Sequence, residues 1–278
     1  MATTTAPDDS ADALRVARKT LRVERRRVVD EREAFEAFRS RVRRIPTETD
    51  PRGPVPHGWV RPSGPGATTG FGVDGRIGRT RPTGNGLVAV RDAYVETVIS
   101  VPHYEEEYDD TYETSLAVEF GPDLAVALTQ EPTLHDRYKR SLLSGAETAI
   151  EERETFLETL DVETASVDDA AERLCSILEE TVTLARSNLD DLGFGTLDAY
   201  RARTVTLEEN CDAVASRRQR EIAGVDRTMR LDDAVPDVAS YLYGDLSVTH
   251  PVLSTVATVG SRLRDLRREI EREMTRSG

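Results

Sequence analysis

From Leu14 the apolar residues of this chain recur in alternating steps of three and four: Leu14, Ala17 and Leu21, then Val28, Phe35, Phe38, Val42 and Ile45. Glu24 and Glu31 fill the two missing places in the same series. That spacing puts every member on one face of an α-helix, so the chain opens with a long helical seam that has to be covered by another helix. Pro46 ends it, because proline cannot continue the backbone hydrogen bonding. A second run of the same kind, Val252, Val256, Val259, Leu263, Leu266 and Ile270, lies near the end, with its helix expected over 249–276.

The stretches between these seams are rich in Ala, Leu, Glu and Arg, and aromatic residues make up only 5% of the chain. Such composition favours helix over sheet. The expected fold is all-α, an elongated bundle of long amphipathic helices with coiled-coil-like stripes and one long irregular Gly/Pro-rich connection. That connection is residues 46–86, which hold seven of the thirteen prolines and ten of the eighteen glycines. Trp59 is expected to anchor it, and Phe71–Ile77 to form a short hairpin within it. The organisation that follows is a basic heptad helix over 1–45, the Gly/Pro connection, and a helical bundle over 87–278.

Within that bundle, Leu87, Val90, Tyr94, Val98 and Val101 share a helical face that Pro102 ends. Tyr104, Tyr108, Tyr112 and Leu116 are spaced by four and predict one helix from Tyr104 to Glu119. A helix capped by Thr133 is expected to run to Leu160, with Ser166 and Asp169 opening the next. The stripe Cys175, Leu178, Val182, Ala185, Leu189 and Leu192 then meets a break at Gly193–Gly195, and a second long helix follows. The two form a hairpin over about 166–230, whose midpoint brings Cys175 and Cys211 to one height and predicts contact between them. Residues 232–244 predict a short helix with Pro236 in its first turn.

Charge is distributed unevenly. The chain carries 51 acidic and 37 basic residues, and only two of the basic ones, Lys19 and Lys139, are lysines. Excess carboxylate with arginine in place of lysine suits a cytoplasm molar in salt, where screening removes the self-repulsion of acidic surfaces. Between Arg15 and Arg44, twelve basic residues face five acids, whereas Tyr104 to Leu174 holds twenty acids and five basic residues. The basic first helix invites a nucleic-acid reading. Its arginines surround the stripe and the rest of the chain repels a polyanion, so docking on the acidic middle of the same chain is the stronger expectation and nucleic acid the weakest. No apolar run reaches membrane-spanning length and none opens the chain as a leader, so a cytoplasmic protein without membrane contact is expected.

Candidate chemistry gathers at His103, Tyr104, Glu107 and Tyr108. None of the four histidines follows a glutamate by three residues, the two cysteines are 36 apart, and no nucleophile elbow or phosphate loop is present. Neither metal nor cofactor is expected. Acids on a solvated face with tyrosines packed inward is the plainer reading; an enzyme or ligand-binding pocket around those four residues is the rival. Glu24 and Glu31 must meet arginines or reach solvent, since a buried unpaired carboxylate costs several kcal/mol.

The segment Ser100–Asp109, Ser-Val-Pro-His-Tyr-Glu-Glu-Glu-Tyr-Asp, with Glu119-Phe120-Gly121-Pro122-Asp123, resembles an uncharacterised haloarchaeal helical family, a domain of unknown function. The resemblance implies a cytoplasmic protein of a salt-loving cell and carries no activity. The leading functional expectation is therefore a non-enzymatic interaction, scaffold or regulatory protein. It would self-associate or bind a protein partner through Leu14, Leu21, Glu24, Val28, Glu31, Phe35 and Phe38.

Overall fold

In the computed structural model, residues 8–47, 85–108, 110–228 and 237–277 are described, and among them the protein is all-α with no strand. Helix α1 is Asp8–Arg44, α2 Asn85–Tyr94 continued by a π-turn Val95–Ile99, α3 Tyr104–Glu107, α4 Tyr112–Phe120 and α5 Pro122–Gln130. Helix α6 is Asp136–Ala185, α7 Phe194–Thr228, α8 Val238–Tyr243 and α9 Pro251–Ser277. Trp59 and Phe71–Ile77 lie outside the described residues. The chain divides into two compact units, Met1–Val28 with Thr155–Gly278, and Val29–Glu154.

In the first unit the stripe residues Leu14, Ala17, Leu21 and Val28 are buried. Arg18 Nε donates to Asp168 Oδ1 at 2.6 Å and Arg25 Nε to Asp161 Oδ1 at 2.7 Å, so α1 and α6 run antiparallel there. The basic helix thus finds acids within its own chain. Helix α6 does not stop near Leu160. Asp161–Ala165 contains neither glycine nor proline, and Ser166, expected as a cap, bonds sideways instead: its Oγ donates to Glu221 Oε2 at 2.6 Å.

The α6–α7 hairpin is antiparallel, tied by Arg218 to Glu163 and by Arg203 to Glu180. Its buried face is one residue away from the expected stripe: Leu174, Ile177, Thr181 and Leu184 are buried, whereas Cys175 and Ala185 are exposed. Thr181 disguised that face, because its hydroxyl bonds Ile177 O at 2.7 Å and is satisfied inside. Cys211 is buried and Cys175 is not, so the cysteines do not share a face. The α9 stripe is buried as read from Val252 to Ile270, and Arg267 Nη1 donates to Glu208 Oε2 of α7 at 2.8 Å. Helix α8 is opened by Asp237, whose Oδ1 accepts from Ser240 N at 2.6 Å, one residue beyond Pro236.

In the second unit Phe35, Phe38, Val42, Leu87, Val90, Tyr94, Leu116 and Leu142 form one core. Phe38 and Tyr94 meet edge to face, ring centroids 5.2 Å apart. Lys139 Nζ donates to Ile45 O at 2.6 Å and Arg43 O at 2.9 Å, satisfying carbonyls at the end of α1 with a cation. The helix expected from Tyr104 to Glu119 is broken. Thr111 starts α4 afresh, its Oγ1 accepting from Thr114 N at 3.3 Å, because Asp and Thr favour caps over helix interiors. Gly121, at φ 84° and ψ 153°, makes the turn from α4 to α5 that a side chain would strain.

Candidate functional site

The site forms in the second unit around Glu31, an acid in the seam of an otherwise apolar stripe. Three donors converge on it. Arg153 Nε of α6 donates to Oε2 at 3.1 Å, while His103 Nε2 at 3.1 Å and the Tyr108 hydroxyl at 3.2 Å donate to Oε1. Arg153 also holds Glu119 with both terminal nitrogens, at 2.7 and 3.2 Å, and its guanidinium lies 4.6 Å over the Phe35 ring. Burial pulls the Arg153 pKa down, but Glu119 and Glu31 more than offset it, so the net shift is upward. The arginine that the seam glutamate requires therefore comes from the same chain.

Beside this cluster is a cavity of about 40 Å³, lined by the charged side chains of Glu31, Glu119 and Arg153 and the apolar ones of Phe35, Val98 and Val101. Tyr104 lines it and is only 6% exposed, yet its hydroxyl has no hydrogen-bond partner. The Ser115 hydroxyl, which lines the same cavity, is engaged by Tyr94 Oη at 2.8 Å. Burial raises the Tyr104 pKa, and the carboxylates of Asp110 and Glu119 add to the shift, so the phenol stays protonated. The rim carries Tyr108 and Val118, 46% and 75% exposed, with the Tyr104 and Tyr108 ring centroids 5.4 Å apart.

Of the residues singled out in the sequence, His103, Tyr104 and Tyr108 gather here with Glu31, and His103 is 6% exposed rather than splayed into solvent. Glu107 ends α3, and its side chain is outside the described residues. Leu14, Leu21, Val28, Phe35 and Phe38 are buried in the chain, and Glu24 Oε1 accepts from the Tyr241 hydroxyl at 2.7 Å. Arg153, Glu119 and Ser115 are members that sequence reasoning missed. The seam position of Glu31 signalled an arginine partner or a route to solvent, but not which arginine. Among the described residues no group of three or more His, Cys, Asp or Glu stands together as a metal site.

A second buried polar cluster lies in the first unit. Arg218 donates to Glu163 through two nitrogens at 2.6 and 2.8 Å, the Tyr243 hydroxyl donates to Glu163 at 2.7 Å, and Arg218 Nη1 reaches Ser166 Oγ at 2.7 Å. Arg218, Glu163 and Tyr243 are buried. With these groups meeting one another, the cluster ties α6, α7 and α8 together.

Among the described residues, fold and cavity define an all-α protein of amphipathic helices with a small, partly charged cavity in its second unit. The chain belongs to the family described as a domain of unknown function (DUF7260), matched over residues 12–267. Compared with curated proteins and with solved structures, it matches none of them. No described helix is long and apolar enough to cross a membrane.

Proposed function

We propose that this protein is a non-enzymatic helical regulatory module, whose coiled-coil-type contacts build a body around a small ligand-binding cavity at Tyr104. One observation carries the reading: Tyr104, a buried phenol whose hydroxyl has no partner, lines a cavity beside an arginine locked by two carboxylates. An unsatisfied buried polar group costs about 1–3 kcal/mol, and a chain selected for packing alone would be better served by phenylalanine. The ion pairs of Arg153 support binding over turnover, because they engage the groups that acid–base chemistry would otherwise use. The acid excess and the near absence of lysine support a cytoplasmic protein of a salt-rich cell.

The test is Tyr104→Phe in the full chain, followed by denaturant unfolding at fixed molar salt. The ligand-free variant is expected to be more stable than the parent by about 1 kcal/mol. A loss of similar size would mean that the hydroxyl is used inside the fold, and the reading would fall.

A protein partner is the second reading. Val118 and Val126, apolar and exposed on α4 and α5, favour it. Self-association through the Leu14–Ile45 stripe has less support, since that stripe is covered in the chain. Nucleic-acid binding has least, because Arg18, Arg25, Arg39 and Arg41 already face Asp168, Asp161, Glu147 and Glu96. Light scattering after size exclusion, with the parent and a Val118→Ser, Val126→Ser double variant, separates the options. A parent dimer that the variant dissociates would favour α4 and α5, and a monomer in both would remove self-association by that face.

A further inference from the structure

We propose that the Tyr104 cavity takes a small organic cation, an ammonium carried on a short aliphatic body; this rests on the ligand-binding reading above. The lining has three parts, each of which selects against other ligands. Glu31, Glu119 and Asp110 supply three carboxylates against the single guanidinium of Arg153, which leaves a negative field in the cavity. An anion is disfavoured there, since Arg153 is already held on both sides by Glu31 and Glu119.

Phe35, Val98 and Val101 form an apolar wall, which offers nothing to a hydrated metal ion but suits the carbon body of an alkylammonium. The Tyr104 and Tyr108 rings, which line the cavity with centroids 5.4 Å apart, are aromatic groups of the kind that attract a desolvated cation. The buried Tyr104 hydroxyl then supplies the missing directional contact: its oxygen accepts from an ammonium N–H. A cavity of about 40 Å³ limits the ligand's size, since a single water needs roughly 10–15 Å³ by this measure. A body of about three or four heavy atoms fills it.

Asp110 is the residue that separates this inference from a merely apolar pocket. It is exposed on the rim and takes no part in the Arg153 network, so its charge can be removed without disturbing the carboxylates that hold Arg153.

The experiment is calorimetric titration of the full chain with propylammonium, 1-propanol and propionate, each at the same ionic strength set by potassium chloride. Propylammonium is expected to bind saturably at one site. Asp110→Asn should weaken it severalfold, and Tyr104→Phe by about threefold to tenfold, the loss of one hydrogen bond. Propanol or propionate binding better than propylammonium, or an Asp110→Asn affinity equal to the parent's, would overturn the cation assignment while leaving a ligand cavity in place. No binding of any of the three would remove both.

Discussion

At the scale of single residues, the buried polar groups divide into those that are satisfied and a few that are not, the Tyr104 hydroxyl among them. Glu31 collects three donors and Glu163 collects Arg218 and Tyr243, so these carboxylates sit in the interior without an unpaired charge. Removing one partner is costlier than removing the pair, because the survivor is left buried alone. Arg218→Ala is therefore expected to destabilise the protein by about 3–5 kcal/mol, and the combination of Arg218→Met with Glu163→Leu by much less. Chemical denaturation of the two variants checks this; equal losses would mean that the charge pair itself carries the stability. The pairing was not legible in the sequence, since 55 positions separate Glu163 from Arg218 and nothing local links them. Ser166 was visible but misread, because a serine followed by an acid looks the same whether it caps a helix or bonds across one.

At the scale of elements, the helical seams were legible and the interruptions were not. The Val252 to Ile270 face is buried as its spacing demands. The break before α4 rests on Asp110 and Thr111 preferring a cap over a helix interior, a local competition that tyrosines at a spacing of four obscured. Close approach between elements is harder still to read. A β-carbon on Gly145 of α6 would lie 2.5 Å from Phe120 Cδ1 of α4, so Gly145 is there to admit the ring. Among the described residues, nothing lies within 4 Å of such an atom on Gly224 of α7. Alanine at both positions gains up to about 1 kcal/mol of helix propensity. Gly224→Ala should keep that gain, whereas Gly145→Ala should lose about 1–3 kcal/mol to the displaced ring, for a net decrease. Thermal melts of the two variants that move in the same direction would contradict this account.

For the whole molecule, the uneven charge along the chain is largely resolved inside it, as arginines of α1 meet acids of α6 in each compact unit. The interior also sets the response to alkali. Burial pushes Cys211 from an ordinary 9.0 up to about 11, with Asp212 and Glu208 adding to the shift, and burial pushes Tyr112 from 10.0 up to about 12. Both groups are neutral when protonated, so the folded state favours the protonated form. Their contribution to stability is complete below about pH 9 and is lost as pH climbs toward 11 and 12. Denaturation midpoints at constant salt should fall through that window, and Cys211→Ala should flatten the lower part of the decline. A midpoint that holds steady across it would count against both assignments.

The sequence by itself determined the helical class, the positions of the two long seams and that Glu31 had to meet an arginine or reach solvent. Each follows from periodicity or from the cost of burying a charge, and both are properties of a helix read one residue at a time. Only the tertiary structure decided that Arg153 is the arginine Glu31 meets and that Tyr104 is buried beside a cavity with no partner for its hydroxyl. Those facts depend on which residues, distant along the chain, are brought within about 3 Å of one another, the reach of a hydrogen bond. Helical periodicity sets the face on which a residue lies; packing sets what that face meets.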